Sequence, residues 1–528
     1  MSWTQRYDPA GSAVLSTLAA ALPVVVLLGS LAWLRLRAHY AALAGLVTAL
    51  LVAIAVIGMP PGMALLSAAL GAGFGLFPIG WIVLNVIFLH RLVERRGLLD
   101  ALRHSVTRVT ADPRLQLLLV AFSFGAFIEG AAGFGTPVAV TGGILIALGF
   151  KPLEASGLAL IANTAPVAFG ALGTPIVALS AVTGLDLHAL SAQVGHQLPI
   201  FSLIVPFWLI WAYAGWRRML EIWPAILVAG ASFAIPQFLM ATLHGPWLVD
   251  IVAAACSMTA LIGFLKLRKT GENRGSMEKN GREPSPAFRT YLPWIALTVF
   301  VFLWGLPQIK NGLNALSAPK IPVAGLHNLV ERGPPIVAAA TPEAAVFTLN
   351  WLSATGTAIL AAGLLTALLL RYSLKELAAE WWATLRIVRT SLLTIAVMLS
   401  LGYVTRYSGE DAILGLAFAQ TGVLYPFFGT MLGWLGVALT GSDTSSNVLF
   451  GNLQTITARQ LGLDPVLMAA ANSSGGVMGK MIDAQSIVVA STVTRSEGQE
   501  GAILRYVFFH SVALASLVGL LVTLQAYR

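Results

Sequence analysis

Two acidic residues stand inside long apolar stretches, each beside a run of glycine or small polar residues. Glu129 lies in FIEGAAGFGTPVAV, directly before a Gly-rich turn. Asp443 lies in LTGSDTSSNVLF, among Ser442, Thr444, Ser445, Ser446 and Asn447. Ionisable groups at membrane depth are expensive and by default mark function. Backbone that stops being helical there must be buried in protein or line a wet cavity. Hydroxyls, amides and free N–H groups at half-helix N-termini hold small anions. A carboxyl group in low dielectric can load and unload a proton near neutral pH. Glu129 and Asp443 are therefore candidates for a coupling proton. The plainer reading of either is a hydrogen-bonded acid that caps a turn.

Downstream of each acid an Asn interrupts an apolar span: Asn163-Thr164 followed by Gly170, and Asn472-Ser473-Ser474 followed by Gly479. The two Asn-to-Gly spacings match, and Gly and Asn at corresponding places in two halves are the best sequence pointer to a transport site. Lys480 and Asp483 follow the second motif in SSGGVMGKMIDAQS. Lys480 either balances a bound carboxylate as a compact point charge or pairs with Asp483 at (i, i+3). Glu343, in TPEAAV, follows Pro342, which favours a turn or helix start. GGVMGKM is no phosphate loop, because its glycines are one residue too close and Met481 replaces Ser or Thr. No catalytic constellation, metal-ligand cluster (metal: none) or nucleotide-binding segment is visible. A gradient-driven carrier that needs no cofactor remains, rather than an enzyme.

These residues must be positioned by membrane helices. A span needs roughly 20 apolar residues, and candidates run 14–34, 40–57, 63–89, 153–180, 198–213, 222–239, 247–265, 291–306, 351–370, 390–404, 465–490 and 503–524. Two further apolar stretches, 115–150 and 424–459, are too long for one helix and are broken in the middle by Gly and polar residues. The expected fold is an all-α polytopic membrane protein of about 12 transmembrane helices plus two re-entrant hairpins.

Composition agrees. Of 528 residues, 57% are hydrophobic and 10% charged, and the mean hydropathy is +0.80. Soluble proteins carry about 25% charged residues, so soluble enzymes, disordered tails and disulfide scaffolds are excluded. The net charge of +9 is no nucleic-acid signal, because the basic residues sit in short loops between apolar runs. Arg35 and Arg37 follow the first span, and Arg91, Arg95, Arg96, Arg103, Arg108 and Arg114 follow the third. The positive-inside rule then places the N-terminus outside. The same scheme makes 181–197, which holds no Lys or Arg, an external loop, and makes 266–289 internal, with Lys266, Arg268, Lys269, Arg274, Lys279, Arg282 and Arg289.

With both awkward stretches re-entrant, three spans precede each hairpin and two follow it, with opposite polarity. That is an inverted-topology repeat. The expected division is 1–214 for the first half with hairpin 115–150, 215–265 for two connecting helices, 266–290 for a cytoplasmic linker, and 291–528 for the second half with hairpin 424–460.

Several long strings resemble the bacterial lactate permease family. They include YDPAG, GAFIEGAAGFGTPVA, LGFKPL, NTAPVAFGALGTPI, WLSATGTAIL, FFGTMLGWLGVALTGSDTSSNVLF, AANSSGGVMGKMIDAQSI and a terminal TLQAY, so the resemblance runs end to end. It implies symport of lactate or glycolate with protons across a bacterial plasma (inner) membrane, with the bilayer as the other partner. The chain is also similar to a wider ion-transporter superfamily in which two hairpin tips and two broken helices form the site. Mapped by motif, the implied tips hold Gly133, Gly135 and Thr136, and Ser442, Thr444, Ser445, Ser446 and Asn447. The implied breaks hold Asn163 and Thr164, and Asn472, Ser473 and Ser474. Lys480 would balance charge, and Asp443 or Glu129 would carry the proton. Sodium coupling, or a passive anion channel, are the other readings.

Overall fold

The computed structural model describes residues 2–32, 34, 36–98, 100, 109–133, 136–272, 292–337, 339–496 and 499–528. Gly135, Arg35, Arg103, Arg108, Arg274, Lys279, Arg282, Arg289 and most of the expected linker lie outside the described residues. Ten described helices are long and apolar enough to cross a membrane, or twelve if each of two bent pairs counts once. The bent pairs are Pro152–Ala162 with Val167–Thr183, bent by 63°, and Leu292–Gly305 with Gln308–Leu316, bent by 75°. The polytopic, almost wholly helical fold follows the apolar patterning.

Helix starts are marked by short acceptors placed before the apolar runs. Asp112, Asp186, Asp464 and Asp483 each accept a backbone N–H of the first turn, and Ser373 with Glu376 forms a full capping box. Such caps satisfy donors that the first turn leaves without an intrahelical partner. Pro113 and Pro465 sit at the first helical position, where a missing N–H costs nothing.

The apolar cores fall into two main bodies. One gathers the arm Pro113–Ala131, the bent pair 152–183, and helices Leu187–Glu221, Trp223–Leu243 and Val249–Glu272 with the C-terminal helices. The other gathers the first three spans and the 35-residue helix Leu374–Ser408.

Several elements depart from the sequence reading. The expected external loop 181–197 shrinks to Gly184, Leu185 and Asp186. Gly184 closes one helix with φ +71°, and Asp186 opens the next by accepting Ala189 N–H at 2.8 Å. The span expected at 198–213 is the middle of the 35-residue Leu187–Glu221. The span expected at 351–370 is a 15-residue helix, Thr355–Leu369, roughly 22 Å long at 1.5 Å per residue and short of a full crossing.

Short strands add a clasp to the helical body. Trp3–Thr4 pairs in parallel with Val330–Glu331, Thr341–Pro342 pairs antiparallel with Glu331–Arg332, and Lys320–Pro322 pairs with Val346–Thr348. Glu343 does not start a helix. It follows a strand and lies 3.1 Å from Arg332 Nε and 2.7 Å from Arg406 Nη2.

Candidate functional site

The two awkward stretches each form two helical arms and a sharp turn. The second runs as Gly422–Thr440, a turn at Gly441 and Ser442, then Asp443–Gln460. Its hydrogen bonds pair residues ever farther apart in sequence: Ser446 Oγ donates to Gly433 O at 3.1 Å, Gln454 Nε2 to Gly429 O at 2.6 Å, and Tyr425 OH to Gln454 Oε1 at 2.6 Å. That ladder defines an antiparallel hairpin. Gly441 turns the chain with φ +72°, and Ser442 caps the second arm by accepting Ser445 N–H at 3.2 Å. The first hairpin joins Pro113–Ala131 to Thr136–Ala147 through Gly133 at φ +59°.

A broken helix follows each hairpin. The first breaks at the predicted place: Pro152–Ala162 ends at Asn163, and after a turn the backbone turns left-handed at Ala171, Leu172 and Gly173 with φ of 43°, 55° and 74°. Non-glycine residues in that region cost about 1–3 kcal/mol each and persist where surroundings over-determine them. Here Thr174 Oγ1 donates to Ala171 O at 2.6 Å, and Gln237 Nε2 to Ala165 O at 3.3 Å. The second break lies elsewhere than expected. The helix runs straight through Asn472, Ser473 and Ser474 to Gly479, and the break falls at Lys480–Ile482 with Asp483 capping Ala484–Val493. The cause is close packing: Gly433 lies against Asn472 O, Gly475 against Thr430 O, and Gly479 against Trp434 O. Glycines that let two helix backbones approach are the membrane form of tight packing. Gly475→Ala would drive its Cβ into the Thr430 carbonyl, and we expect a stability loss of about 1–3 kcal/mol from overpacking. Thermal unfolding in detergent checks this, and an unchanged midpoint would contradict it.

The predicted polar residues of the second half form one buried network. Asp443 Oδ2 accepts from Ser473 Oγ at 2.5 Å and Asn447 Nδ2 at 3.4 Å. Asn472 Nδ2 donates to Asn447 Oδ1 at 3.0 Å and to Ser446 Oγ at 3.4 Å, and Gln454 Nε2 donates to Asn472 Oδ1 at 3.2 Å. Asn447 Nδ2 also reaches Pro175 O at 3.2 Å, which ties the second hairpin to the first broken helix. Lys480 pairs with Asp483, the second of the two readings: Nζ lies 3.1 Å from Asp483 Oδ2 and also donates to Gly441 O at 2.6 Å, at the hairpin turn.

The first-half residues gather around Glu129. A Cβ at Gly170 would lie 2.5 Å from Glu129 Oε1, and one at Gly133 3.4 Å from it. Asp443 Oδ1 faces Gly476 in the same way, so each hairpin acid rests on a glycine of the broken helix that follows. Asn163 stands within interaction range of Glu129, yet neither of its amide atoms is in hydrogen-bond geometry with a protein group.

The remaining predicted residues stand outside these two clusters. Thr164 Oγ1 turns back to Ile161 O at 2.8 Å. Thr136 starts the second arm of its hairpin and is half-buried, as are Ser442, Thr444 and Ser445 at the other tip. Several predicted residues carry buried polar atoms without a protein partner, Glu129 Oε2, both amide atoms of Asn163, Asp443 Oδ1 and Ser474 Oγ, as do others elsewhere in the fold such as Asn85, Thr366 and Glu410. Such groups are rare in folded proteins and call for an explanation.

Sequence reading missed Tyr425, Gln454, Gln237 and Asp250. All four are buried, and Asp250 leaves both carboxylate oxygens unpartnered. For Gln237 and Asp250 the signal was present, since each interrupts an apolar run, whereas Gln454 lies in the polar stretch GNLQTITARQ and carries no such signal.

The L-lactate permease profile matches residues 16–528. The glycolate permease GlcA of Escherichia coli K12 is 44% identical over 555 residues, covering 100% of this chain and 98% of the relative. The L-lactate permease of Bacillus subtilis 168 is 43% identical, covering 99% and 98%, and that of E. coli K12 is 43% identical with the same coverage. Among solved structures, the YdaH transporter of Alcanivorax borkumensis superposes with a TM-score of 0.46 at 15% identity over 88% of each chain, too loosely to support an argument. On the profile and the end-to-end relatives, the chain belongs to the L-lactate permease family.

Proposed function

We propose that this protein carries lactate, glycolate and related short 2-hydroxymonocarboxylates across the bacterial inner membrane together with protons. One observation carries the reading: in a family of lactate and glycolate permeases, buried acids and amides, several of their atoms without protein partners, stand together on two hairpins and the broken helices that follow them. Asn163 and Ser474 supply free donors and acceptors for the carboxylate and the 2-hydroxyl. Lys480 offsets the added negative charge from the hairpin turn, and Asp443 and Glu129 take up the proton. The hairpin after three helices, and the broken helix after each hairpin, support an inverted repeat with both hairpins re-entrant, although helix Val249–Glu272 carries the second connecting helix past the expected boundary at 265.

Coupling is tested in proteoliposomes with pH and sodium gradients imposed separately. A gradient of one pH unit is worth about 1.4 kcal/mol per proton. For one proton per lactate it supports roughly tenfold accumulation. Accumulation driven by pH alone is the expected result. Accumulation only with sodium would overturn the proton reading and recast the Ser-Asn tip as a cation site, and conductance without accumulation would indicate a channel.

A further inference from the structure

The two connecting helices, which the repeat leaves without a role, bring a second buried acid to the first hairpin, beside Glu129. Helix Val249–Glu272 runs antiparallel to the hairpin arm Pro113–Ala131 in a defined register. The hydroxyls of Ser257 and Ser123 lie 2.8 Å apart, and two turns away Asp250 lies against Gly130, where an added Cβ would come within 2.7 Å of Asp250 Cβ. Gly130 is the neighbour of Glu129. Asp250 is 1% exposed, and neither of its carboxylate oxygens has a hydrogen-bond partner.

Among the described residues no hydrogen bond or ion pair reaches the Asp250 carboxylate, and the cation Lys310 stands over the Trp247 ring at 5.6 Å, three residues before Asp250. The hairpin contributes Glu129, the chain neighbour of the Gly130 that seats Asp250. Helix Trp223–Leu243 contains no ionisable residue and presents Gln237 to the break. The helix Gly170–Thr183 contains none either, and its Gly173 packs on Pro246. An ionised carboxylate left in this position without a partner would cost several kcal/mol. Two buried carboxyl groups close enough to interact favour a state in which one of them holds a proton.

We infer that Asp250 is a proton-binding residue of the carrier, paired with Glu129 across the Gly130 contact, so that the connecting helices belong to the coupling machinery. This rests on the proton-symport reading above. Unlike a structural acid, the pair would make transport depend on protonation at Asp250.

The test compares wild type, Asp250→Asn and Asp250→Glu in proteoliposomes, reading pH-driven lactate accumulation and the pH profile of lactate exchange. Asp250→Asn is expected to lose accumulation while exchange stays measurable and becomes independent of pH. Asp250→Glu is expected to restore both pH responses. Asn variant accumulation equal to wild type, or exchange with an unaltered pH profile, would overturn the inference. If the Asn variant does not fold, labelling of the wild type by dicyclohexylcarbodiimide decides: an adduct at Asp250 that fades as pH rises supports the inference, and reactivity that ignores pH refutes it. Failure of wild type itself to respond to pH would remove the symport reading instead, so the two failures are distinct.

Discussion

Asp443→Asn is expected to bring pH-driven lactate accumulation down to the level of empty liposomes while lactate exchange across the same membrane continues. The geometry makes this a clean substitution. Asp443 Oδ2 accepts from Ser473 at 2.5 Å, and an amide oxygen retains that bond. Asp443 Oδ1 has no partner, so the new amide NH2 displaces no existing contact. Asn447 keeps its bond to Pro175 O. The variant therefore preserves shape and loses the ability to release a proton. For one proton per lactate, the roughly tenfold accumulation that one pH unit drives collapses to equality. Accumulation by the variant at the wild-type ratio would remove Asp443 from the coupling path.

The largest effect on stability is expected at Glu343, outside the spans. Its carboxylate joins Arg332 and Arg406, with 10% and 17% of those side chains exposed. Arg406 in turn donates from Nη1 to Val182 O at 3.0 Å, at the end of the first broken helix. Glu343→Ala leaves two largely buried guanidiniums without their acid, and removing one partner of such a pair costs about 3–5 kcal/mol. A thermal midpoint in detergent close to wild type would contradict this. Burial pushes the Glu343 carboxyl up, but Arg406 and then Arg332 outweigh it and hold it below its ordinary value of 4.5. A depressed acid contributes stability that is complete above its unfolded value and lost as pH falls through the lower folded value. The clasp is therefore expected to loosen only below about pH 4.5, with wild type losing stability there and Glu343→Ala showing a flatter acid limb.

Much of the site was legible because some of its signals are local. Apolar runs long enough to cross, the Gly and polar interruptions in 115–150 and 424–459, and the acids Glu129 and Asp443 within them are properties of short windows. Asn163 ends its helix where the motif predicted, because Pro166, three residues on, removes a donor and disfavours continuation. Asn472 does not, although its motif looks the same. Its helix is held straight by glycines that seat Thr430, Trp434 and Asn472 carbonyls, and that contact exists only once the hairpin has packed.

The amino-acid sequence by itself determined the class of protein, the positions of most apolar runs, the family strings and the chemical types at the site. Each of these depends on residue identity and spacing along one chain segment. Tertiary structure decided the partners: that Asn447 reaches Pro175, that Lys480 serves Asp483 and Gly441 together, that Glu343 joins Arg332 to Arg406, and that Asp250 stands beside the first hairpin. The reason is physical. A buried amide or carboxyl group must find its donors among residues tens to hundreds of positions away, and only the packing of helix on helix specifies which of them come within hydrogen-bond reach.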